Sequence, residues 1–234
     1  MIKMILYEKF EKESVKDYGY RVVRDNIMSL DLTPGELLSE TELANQLNIS
    51  RTPIREIIGR LRARKLIDVK PQIGTFVSLI DWQLVGDAIF VRCNLERAAL
   101  KQACKSFQEE DLIAMEECLA KQQSIAAIKH NVLEFHELDT QFHRLLFKGI
   151  RKDSVWEMIS NMSLHYSRMR LLAEKNLNKE FIVCEHHKYL EIIKEKRKDW
   201  IEDAVNTHVE EQYTAWRALI DQNSDIAQYV KNLD

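Results

Sequence analysis

Three observations predict a mainly α-helical protein, with an N-terminal winged helix-turn-helix carrying a small β-wing and a C-terminal all-α helical bundle. Only six glycines and three prolines occur in 234 residues, which favours helix over sheet. Residues 34–74 contain two short helical patterns joined by a tight turn and followed by β-prone runs. From residue 83 onward there is no proline, and glycine occurs only at positions 86 and 149. We therefore expect two domains, residues 1–80 (core about 16–79) and 81–234.

The first domain begins with an amphipathic helical pattern from Val15 to Leu30. A turn at residues 33–35 follows it. Ser39 is then a suitable N-cap, and Glu42, three residues later, completes a capping box. This pattern predicts a second helix from about Glu40 to Leu47.

The next helix is predicted by its own start signals. Residues 48 and 49 form the connecting turn, Ser50 is the N-cap, and Pro53 lies in the first turn, where a missing N–H costs nothing. Apolar residues at 54, 57, 58 and 61 would face the core. Arg51, Thr52 and Arg55 would then lie on the exposed side.

Two short β-prone runs, Ile67–Val69 and Thr75–Leu79, flank a turn at residues 71–74 and predict a two-stranded wing. Gly74 in this turn would let the wing tip approach a backbone closely. A helix-turn-helix followed by a wing is an arrangement that places one helix in a DNA major groove. The sequence therefore indicates regulation rather than catalysis for the first domain.

Charge supports a nucleic-acid partner for this region. Residues 51–70 carry seven basic and two acidic side chains, although the whole chain has a net charge of −3. Ser50 and the first helical amides suit a phosphate, Arg51 and Arg55 suit phosphate or guanine, and Thr52 can add a hydroxyl contact. The alternative is a helical hairpin with an ordinary charged surface.

The second domain is predicted to contain helices at about residues 83–105, 109–128, 131–149, 153–178, 179–196 and 199–221. Asp139 and His143 lie at i and i+4 on one helix face, while His186 and His208 lie on two later helices. A carboxylate with imidazoles suits a divalent ion such as zinc, nickel or manganese. Alternatively, these are unconnected surface or core residues.

Cysteine usage and hydropathy indicate the compartment. The four cysteines include no C-x-x-C pair, which is typical of a reduced, intracellular set that packs as small apolar side chains. No apolar run reaches the length of a membrane span, and the N-terminus lacks the features of a secretion signal. We therefore expect a cytoplasmic protein without a membrane partner.

The motif in residues 34–56 resembles the winged helix-turn-helix of the GntR family of bacterial transcription regulators. The matching positions are Pro34, Gly35, Leu38, Glu40, Leu43, Ala44, Leu47, Ile49, Ser50, Arg51, Thr52, Pro53, Ile54, Arg55 and Glu56. The resemblance implies that Ser50, Arg51, Thr52, Arg55 and the wing tip at Gly74 face DNA. One departure is that Arg64-Lys65-Leu66 stands where the family often has Glu-Gly-Leu, so the helix exit could differ and Lys65 could add a phosphate contact.

The second domain is similar to the FCD ligand-binding domain of the FadR-like GntR branch, in three motifs. These are R-x-x-L-E at residues 92–96, D-x-x-F-H at 139–143 and E-H-x-x-x-L-E-x-I at 185–193, with a histidine 22 residues after His186. The resemblance implies a metal, with zinc preferred over nickel or manganese, held by Asp139, His143, His186 and His208. It also implies a small carboxylate effector beside the metal, with Arg92 as the first candidate to bind it.

Several other residues near these motifs are weaker candidates for the site. Arg168 and Arg170 are weaker effector candidates and are expected to form surface salt bridges. His187 should point away from His186, and Cys184 should pack rather than ligate. The other histidines, at 130, 136 and 165, do not match the pattern and are expected at the surface or behind the ligands.

These features predict a homodimeric, DNA-binding transcriptional regulator, expected to be a repressor, whose operator affinity depends on a small organic acid bound at the metal site. Two other classes stay open. One is a metal-dependent enzyme using the same Asp and His set, although no separate general base or nucleophile is recognisable. The other is a metal-binding helical interaction module without an operator. We expect no enzymatic activity.

Overall fold

The computed structural model describes residues 2–128, 131–176 and 178–233. It divides into two compact units. One comprises the chain up to Trp82 together with the segment from Ala227, and the other comprises Gln83–Ile226. The split after Trp82 lies two residues from the boundary expected after residue 80. The C-terminal segment, expected in the helical domain, groups instead with the first unit.

The helices of the first unit are α1 (Val15–Met28), α2 (Glu40–Leu47) and α3 (Arg51–Ala63). The hydroxyl of Ser39 accepts a hydrogen bond from the backbone N–H of Glu42 at 3.3 Å, so the predicted cap is present. The Glu42 carboxylate accepts a hydrogen bond from the backbone N–H of Ile2. Helices α1 and α3 pack together through fully buried Val, Ile and Leu side chains, which fixes the orientation of α3 in this unit.

Three antiparallel strands form the wing. They are β1 (Leu37–Leu38), β2 (Ile67–Lys70) and β3 (Gly74–Val77), in the order β1-β3-β2. The predicted wing had only two strands. The added strand β1 is two residues long, which is too short for an alternating pattern to reveal it. Its pairing with β3 anchors the hairpin to the segment before α2.

The C-terminal segment joins the first unit by strand pairing. Strand β4 (Ile80–Asp81) pairs in parallel with β5 (Val230–Lys231). The backbone N–H of Ile80 also donates to the carbonyl of Tyr229 at 2.8 Å. Burial of Ile80 and Val230 on the paired strands accounts for the grouping of this segment with the first unit.

Helix α3 ends in a left-handed residue. Lys65 has φ of +58°, the conformation that glycine adopts most readily. The backbone N–H of the next residue, Leu66, donates to the carbonyl of Leu61 at 3.0 Å and closes the helix end. Lys65, where the sequence departs from the motif that it resembles, therefore completes the helix exit in a left-handed conformation.

The second unit is helical throughout its described part. Its elements are α4 (Trp82–Ala103), α5 (Glu109–Ile125), α6 (Val132–Gly149), α7 (Asp153–Met162), α8 (Leu164–Glu174), α9 (Glu180–Glu195), a 3-10 helix (Lys198–Trp200), α10 (Ile201–Val205), a π-helical turn (Asn206–Glu210), α11 (Glu211–Gln222) and α12 (Ser224–Ala227). Two predicted helices are interrupted. The one expected at 153–178 breaks at Ser163, and the one expected at 199–221 contains the π-helical turn.

The core of the second unit is unusual because it contains ionisable groups among large aromatic side chains. Phe135, Phe142, Phe147, Tyr189 and Trp216 are fully buried. Several Arg, Asp, Glu and His side chains lie between them, although charged residues are rarely buried unless they are paired. Within the residues that the structure describes, no helix has both the length and the apolar character needed to cross a membrane.

Candidate metal centre and nucleic-acid interface

The start of α3 is an exposed, basic helix N-terminus. Ser50 has N-cap geometry, but its side chain makes no capping hydrogen bond. Ser50, Arg51, Thr52 and Arg55 are all exposed. Nε of Arg55 lies 3.3 Å from Oε2 of Glu40, and an ion pair so exposed contributes little to stability. The predicted DNA-facing side chains of α3 thus lie together at an accessible surface.

Not every basic residue of α3 belongs to this surface. Nη1 of Arg60 donates to Oδ1 of Asp17 at 2.9 Å, and its guanidinium lies 4.1 Å from the ring centre of Tyr20. Both partners are on α1, so these contacts hold Arg60 against α1. Arg62 is exposed. The seven basic residues in 51–70 therefore do not all contribute positive charge to the exposed surface at the start of α3.

Gly74 is located at the base of the hairpin turn rather than at its apex. It is the first residue of β3 and pairs with Lys70, while the exposed turn consists of residues 71–73. Its φ is +151°, and a Cβ at this position would lie 2.7 Å from Cδ1 of Leu37. Close packing against Leu37 therefore explains why this position is a glycine. The contact of Gly74 with DNA stays a prediction.

The four predicted metal ligands converge in the core of the second unit. Nε2 of His186 lies 3.6 Å from Oδ1 of Asp139, and Nε2 of His143 lies 3.9 Å from Oδ2 of Asp139. Nε2 atoms of His208 and His143 are 3.0 Å apart. Ligand atoms of the three histidines all lie within 4.8 Å of one another, and the three side chains are buried.

Three elements position these side chains. Helix α6 supplies Asp139 and His143 one turn apart, and α9 supplies His186. His208 comes from the π-helical turn, in which an extra residue per turn changes the direction of the side chains that follow. The ring of Phe142 stacks on His186, with 4.1 Å between ring centres, and restricts the imidazole.

Buried polar side chains lie behind two of the imidazoles. Nδ1 of His186 is 2.6 Å from Oε1 of Gln122. Nδ1 of His143 is 3.3 Å from Oε2 of Glu96, and this oxygen accepts a hydrogen bond from the hydroxyl of Tyr189 at 3.0 Å. Partners of this kind orient ligating histidines and set their tautomers. Neither partner was recognised from the sequence, because each comes from a distant helix.

Burial and charge keep the site in a state suited to metal ligation. Desolvation lowers the pKa of His208 to about 3 and holds the pKa of His186 well below its usual value. Both imidazoles are therefore neutral at neutral pH. Burial would raise the pKa of Asp139, but the Arg170 guanidinium holds this pKa below its usual range, so the carboxylate is ionised.

This donor set fits a divalent metal. Neutral imidazoles and one carboxylate are common ligands of zinc and its neighbours. Nε2 of His186 is buried without a hydrogen-bond partner among the described residues, although it faces Asp139. A buried, unsatisfied nitrogen is costly unless a ligand binds it. Nε2 atoms of the histidines and the Asp139 carboxylate are the atoms that would hold the ion.

Arg92, the predicted effector residue, is buried and has protein partners. Its Nε donates to Oε1 of Glu96 at 2.8 Å, and its Nη1 donates to the hydroxyl of Tyr166. Desolvation would lower the pKa of Arg92, but the Glu96 carboxylate raises it, so the guanidinium is charged. Through Glu96, Arg92 is linked to His143. Its contact with an effector stays a prediction.

The expectation that Arg168 and Arg170 form surface salt bridges is wrong, because both are buried. Nη1 of Arg170 donates to Oδ2 of Asp139, and Nη2 donates to Oγ1 of Thr140 at 2.7 Å. Arg170 is therefore in direct contact with a predicted metal ligand. The i, i+4 spacing to Glu174 was a signal for a local ion pair, but no sequence signal connects Arg170 to Asp139, which is 31 residues away.

A cavity of about 360 Å³ lies next to Arg170. Its lining is mostly apolar, from residues including Phe181, Ile182 and Trp216, and it also includes Glu174 and Thr207, which precedes His208. A cavity of this volume is large enough for a small organic molecule. Arg170 thus faces the cavity and contacts Asp139.

The remaining histidines and Cys184 are outside the ligand cluster. His187 is exposed, as expected, but Cys184 is exposed rather than packed. Nδ1 of His136 lies 2.9 Å from Oε2 of Glu174, behind Arg170, and His165 is buried. His130 is outside the residues that the structure describes.

Comparison with known sequences decides the family. The profile of bacterial regulatory proteins of the gntR family matches residues 20–77, and that of the FCD domain matches residues 87–211. The chain belongs to the GntR family. Its relatives are transcriptional regulators, so the predicted class of DNA-binding regulator is confirmed, as is the expectation that it is not an enzyme.

Individual relatives agree with this assignment. This chain is 30% identical to the HTH-type transcriptional repressor RspR of Escherichia coli over 214 residues, which cover 91% of this chain and 93% of that protein. It is 26% identical to the gluconate operon transcriptional repressor of Bacillus licheniformis, with 77% of each covered.

Solved structures share the fold. E. coli McbR/YncC has a TM-score of 0.71 at 20% identity, covering 88% of this chain and 99% of that one. A GntR regulator from Rhodococcus sp. RHA1 has a TM-score of 0.73 at 16% identity, with the same coverage. These likenesses confirm the predicted winged helix-turn-helix and FCD-like helical bundle.

Proposed function

We propose that this GntR regulator binds a divalent metal through Asp139, His143, His186 and His208, and that a small carboxylate effector bound beside the metal modulates its affinity for operator DNA. The observation that carries the proposal is the convergence of these four buried side chains from three elements. Zinc is the preferred ion, and nickel or manganese suits the same ligands. When bound, the ion would supply a positive centre that attracts an anionic oxygen of the effector.

The DNA partner is a double-stranded operator. We propose that Ser50, Arg51, Thr52 and Arg55 enter or flank the major groove, since all four are exposed at the start of α3. Gly74 would bring the wing close to the DNA backbone. A homodimer would present two such helices to a pseudo-palindromic site. Two relatives are named repressors, which supports repression, and regulation of transcription in a bacterium supports a cytoplasmic location.

The effector would act by preferring one arrangement of the DNA-binding units over another, because a ligand shifts an equilibrium only by its differential affinity. Arg92 is retained as a candidate effector residue because it lies in the same buried cluster. Arg92 contacts Glu96, and Glu96 lies beside His143. Through these contacts, Arg92 would respond to a change in the position of His143 even if Arg92 does not touch the effector. A metal-storage module is the competing function, and it predicts loose, polyvalent uptake and no operator.

Metal content per chain tests the site. Elemental mass spectrometry on tag-free protein, after reconstitution and desalting, should give about one tightly held ion per chain. The double variant His186→Ala, His208→Ala should lose it. The variant His187→Ala is a matched control, because His187 adjoins His186 but is exposed. Absence of metal after reconstitution with zinc, nickel and manganese would exclude the site and leave DNA binding to be tested separately.

A further inference from the structure

The guanidinium of Arg170 donates a hydrogen bond to one carboxylate oxygen of the proposed metal ligand Asp139. Nη1 donates to Oδ2 of Asp139, and Nη2 donates to Oγ1 of Thr140. The Arg170 and Asp139 side chains are only 8% and 2% exposed, so solvent screens this ion pair weakly. The same Oδ2 lies 3.9 Å from Nε2 of His143. One oxygen therefore lies between the histidine cluster and the arginine.

A metal ion and Arg170 would compete for the Asp139 carboxylate. Both are positive, and a dication beside a guanidinium in a buried site is disfavoured by repulsion. Binding of the ion therefore includes the cost of weakening the contact between Arg170 and Asp139. This cost lowers the affinity of the site for metal below the value that the four ligands alone would give.

A second acceptor for Arg170 is already in place. Nε of Arg170 lies 3.4 Å from Oε1 of Glu174, and this oxygen is buried without a hydrogen-bond partner among the described residues. Nδ1 of His136 lies 2.9 Å from the other oxygen of Glu174 and 3.3 Å from Nε of Arg170, so this imidazole contacts both members of the ion pair. A buried carboxylate oxygen without a hydrogen bond is unfavourable, so it is available to receive the guanidinium.

We propose that Arg170 exchanges between two carboxylates, binding Asp139 when the site has no metal and Glu174 when Asp139 binds the ion. The proposal rests on the metal site of the proposed function and adds a residue that controls its affinity. Both Arg170 and Glu174 line the 360 Å³ cavity, so the exchange would also change the charge presented to a molecule in that cavity. Metal binding and effector binding would thereby be coupled through one side chain.

The test is a double-mutant cycle on metal affinity, with zinc alone as the probe and a competing chelator as the readout. Arg170→Gln should raise zinc affinity at least about tenfold, because the metal-free protein loses the contact that competes with zinc. Glu174→Gln should lower it several-fold, because the displaced guanidinium loses its acceptor. In the Arg170→Gln background, Glu174→Gln should then change zinc affinity less than about twofold.

A control variant separates exchange from a general charge effect. Lys179→Gln removes a positive charge from the lining of the same cavity, but Lys179 donates to the carbonyl of Ile128 and not to Asp139. It should leave zinc affinity nearly unchanged. Circular dichroism on every variant should check folding. If Arg170→Gln does not fold, Arg170→Lys replaces it. Lysine keeps the charge but lacks the forked guanidinium that contacts Asp139 and Thr140, so zinc affinity should rise above wild type by less than the roughly tenfold increase expected for Arg170→Gln.

The outcomes are distinct. If wild-type protein binds zinc and Arg170→Gln binds it equally or more weakly, the exchange is wrong and the metal site stands. If Glu174→Gln lowers affinity by the same factor in both backgrounds, the effect is simple electrostatic attraction and the exchange is again wrong. If none of the proteins binds zinc, the metal site and the exchange both fail. Binding by Arg170→Gln but not by wild type would support the exchange strongly.

Discussion

Gln122 and His186 are joined by a buried contact of 2.6 Å between Oε1 and Nδ1. An amide oxygen only accepts, so Nδ1 of the neutral imidazole carries the proton. The lone pair of His186 is then on Nε2, the atom that faces Asp139. One glutamine on α5 would thus orient a histidine on α9 to hold the proposed ion.

Gln122→Leu should therefore lower metal affinity by about 10–100-fold, since the imidazole loses the partner that fixes its tautomer and orientation. The measurement is competition for zinc with a chelator. Gln123→Leu is the matched control, because the next residue along α5 is exposed and should leave affinity unchanged. Equal affinities for Gln122→Leu and wild type would show that the contact does not orient the ligand.

Arg51→Ala and Arg55→Ala should each weaken operator binding and reduce the slope of log affinity against log salt by about 1, if each residue contacts a phosphate. Fluorescence anisotropy at several salt concentrations measures both quantities. Arg60→Ala removes the same charge from the same helix, but from a side chain held by Asp17 and Tyr20. Arg60→Ala should keep the wild-type slope. An equal loss of operator affinity in Arg51→Ala, Arg55→Ala and Arg60→Ala would indicate that the total charge of the helix, rather than specific phosphate contacts, determines binding.

Lys65→Gly should stabilise the end of α3 by roughly 0.5–1 kcal/mol, because a left-handed conformation costs a non-glycine residue about 1–2 kcal/mol, part of which the greater chain entropy of glycine offsets. Hydrogen exchange of peptides from α3 provides a local measure and should become slower. Lys65→Ala should show no such gain. Faster exchange in Lys65→Gly would mean that the lysine side chain makes a stabilising contact that outweighs its backbone strain.

Cysteine alkylation at pH 8 should show one fast thiol per chain, Cys184, which is exposed. Burial raises the pKa of Cys93 and of Cys118 to about 11, and it raises the pKa of Cys104 as well, so these thiols are both protonated and inaccessible. Cys184→Ser should remove the fast phase without changing the slow one. Rapid reaction of more than one thiol would indicate opening of the helical core.

Local signals in the sequence predicted most elements of the fold. Ser39 and Ser50 mark the starts of α2 and α3, and the apolar periodicity of α6 and α9 gives their ends to within one residue. Strands β1, β4 and β5 were missed because each is two residues long, too short to show an alternating pattern of apolar and polar residues. The interruption at residues 206–210 was missed because a π-helical turn has almost the same composition as the α-helix around it.

The sequence likewise indicated some residues of the candidate site and not others. The resemblance to the FCD domain named the four side chains that the structure brings together. Arg170 was misjudged because its environment depends on the packing of α8 against α6, a tertiary contact for which i, i+4 spacing gives no information. Gln122 was overlooked for the same reason, since a buried glutamine on an otherwise ordinary amphipathic helix has no distinguishing neighbours in sequence.

The parallel pairing of β4 with β5 makes the helical unit an insertion within the DNA-binding unit, so that the chain passes between the two units twice. A fragment consisting of residues 2–82 would leave the edge of β4 without its neighbour. Exchange of effector domains between related regulators should therefore graft residues 83–226 as a cassette and retain the recipient's own final strand. A sensor built in this way would have two junctions to optimise instead of one.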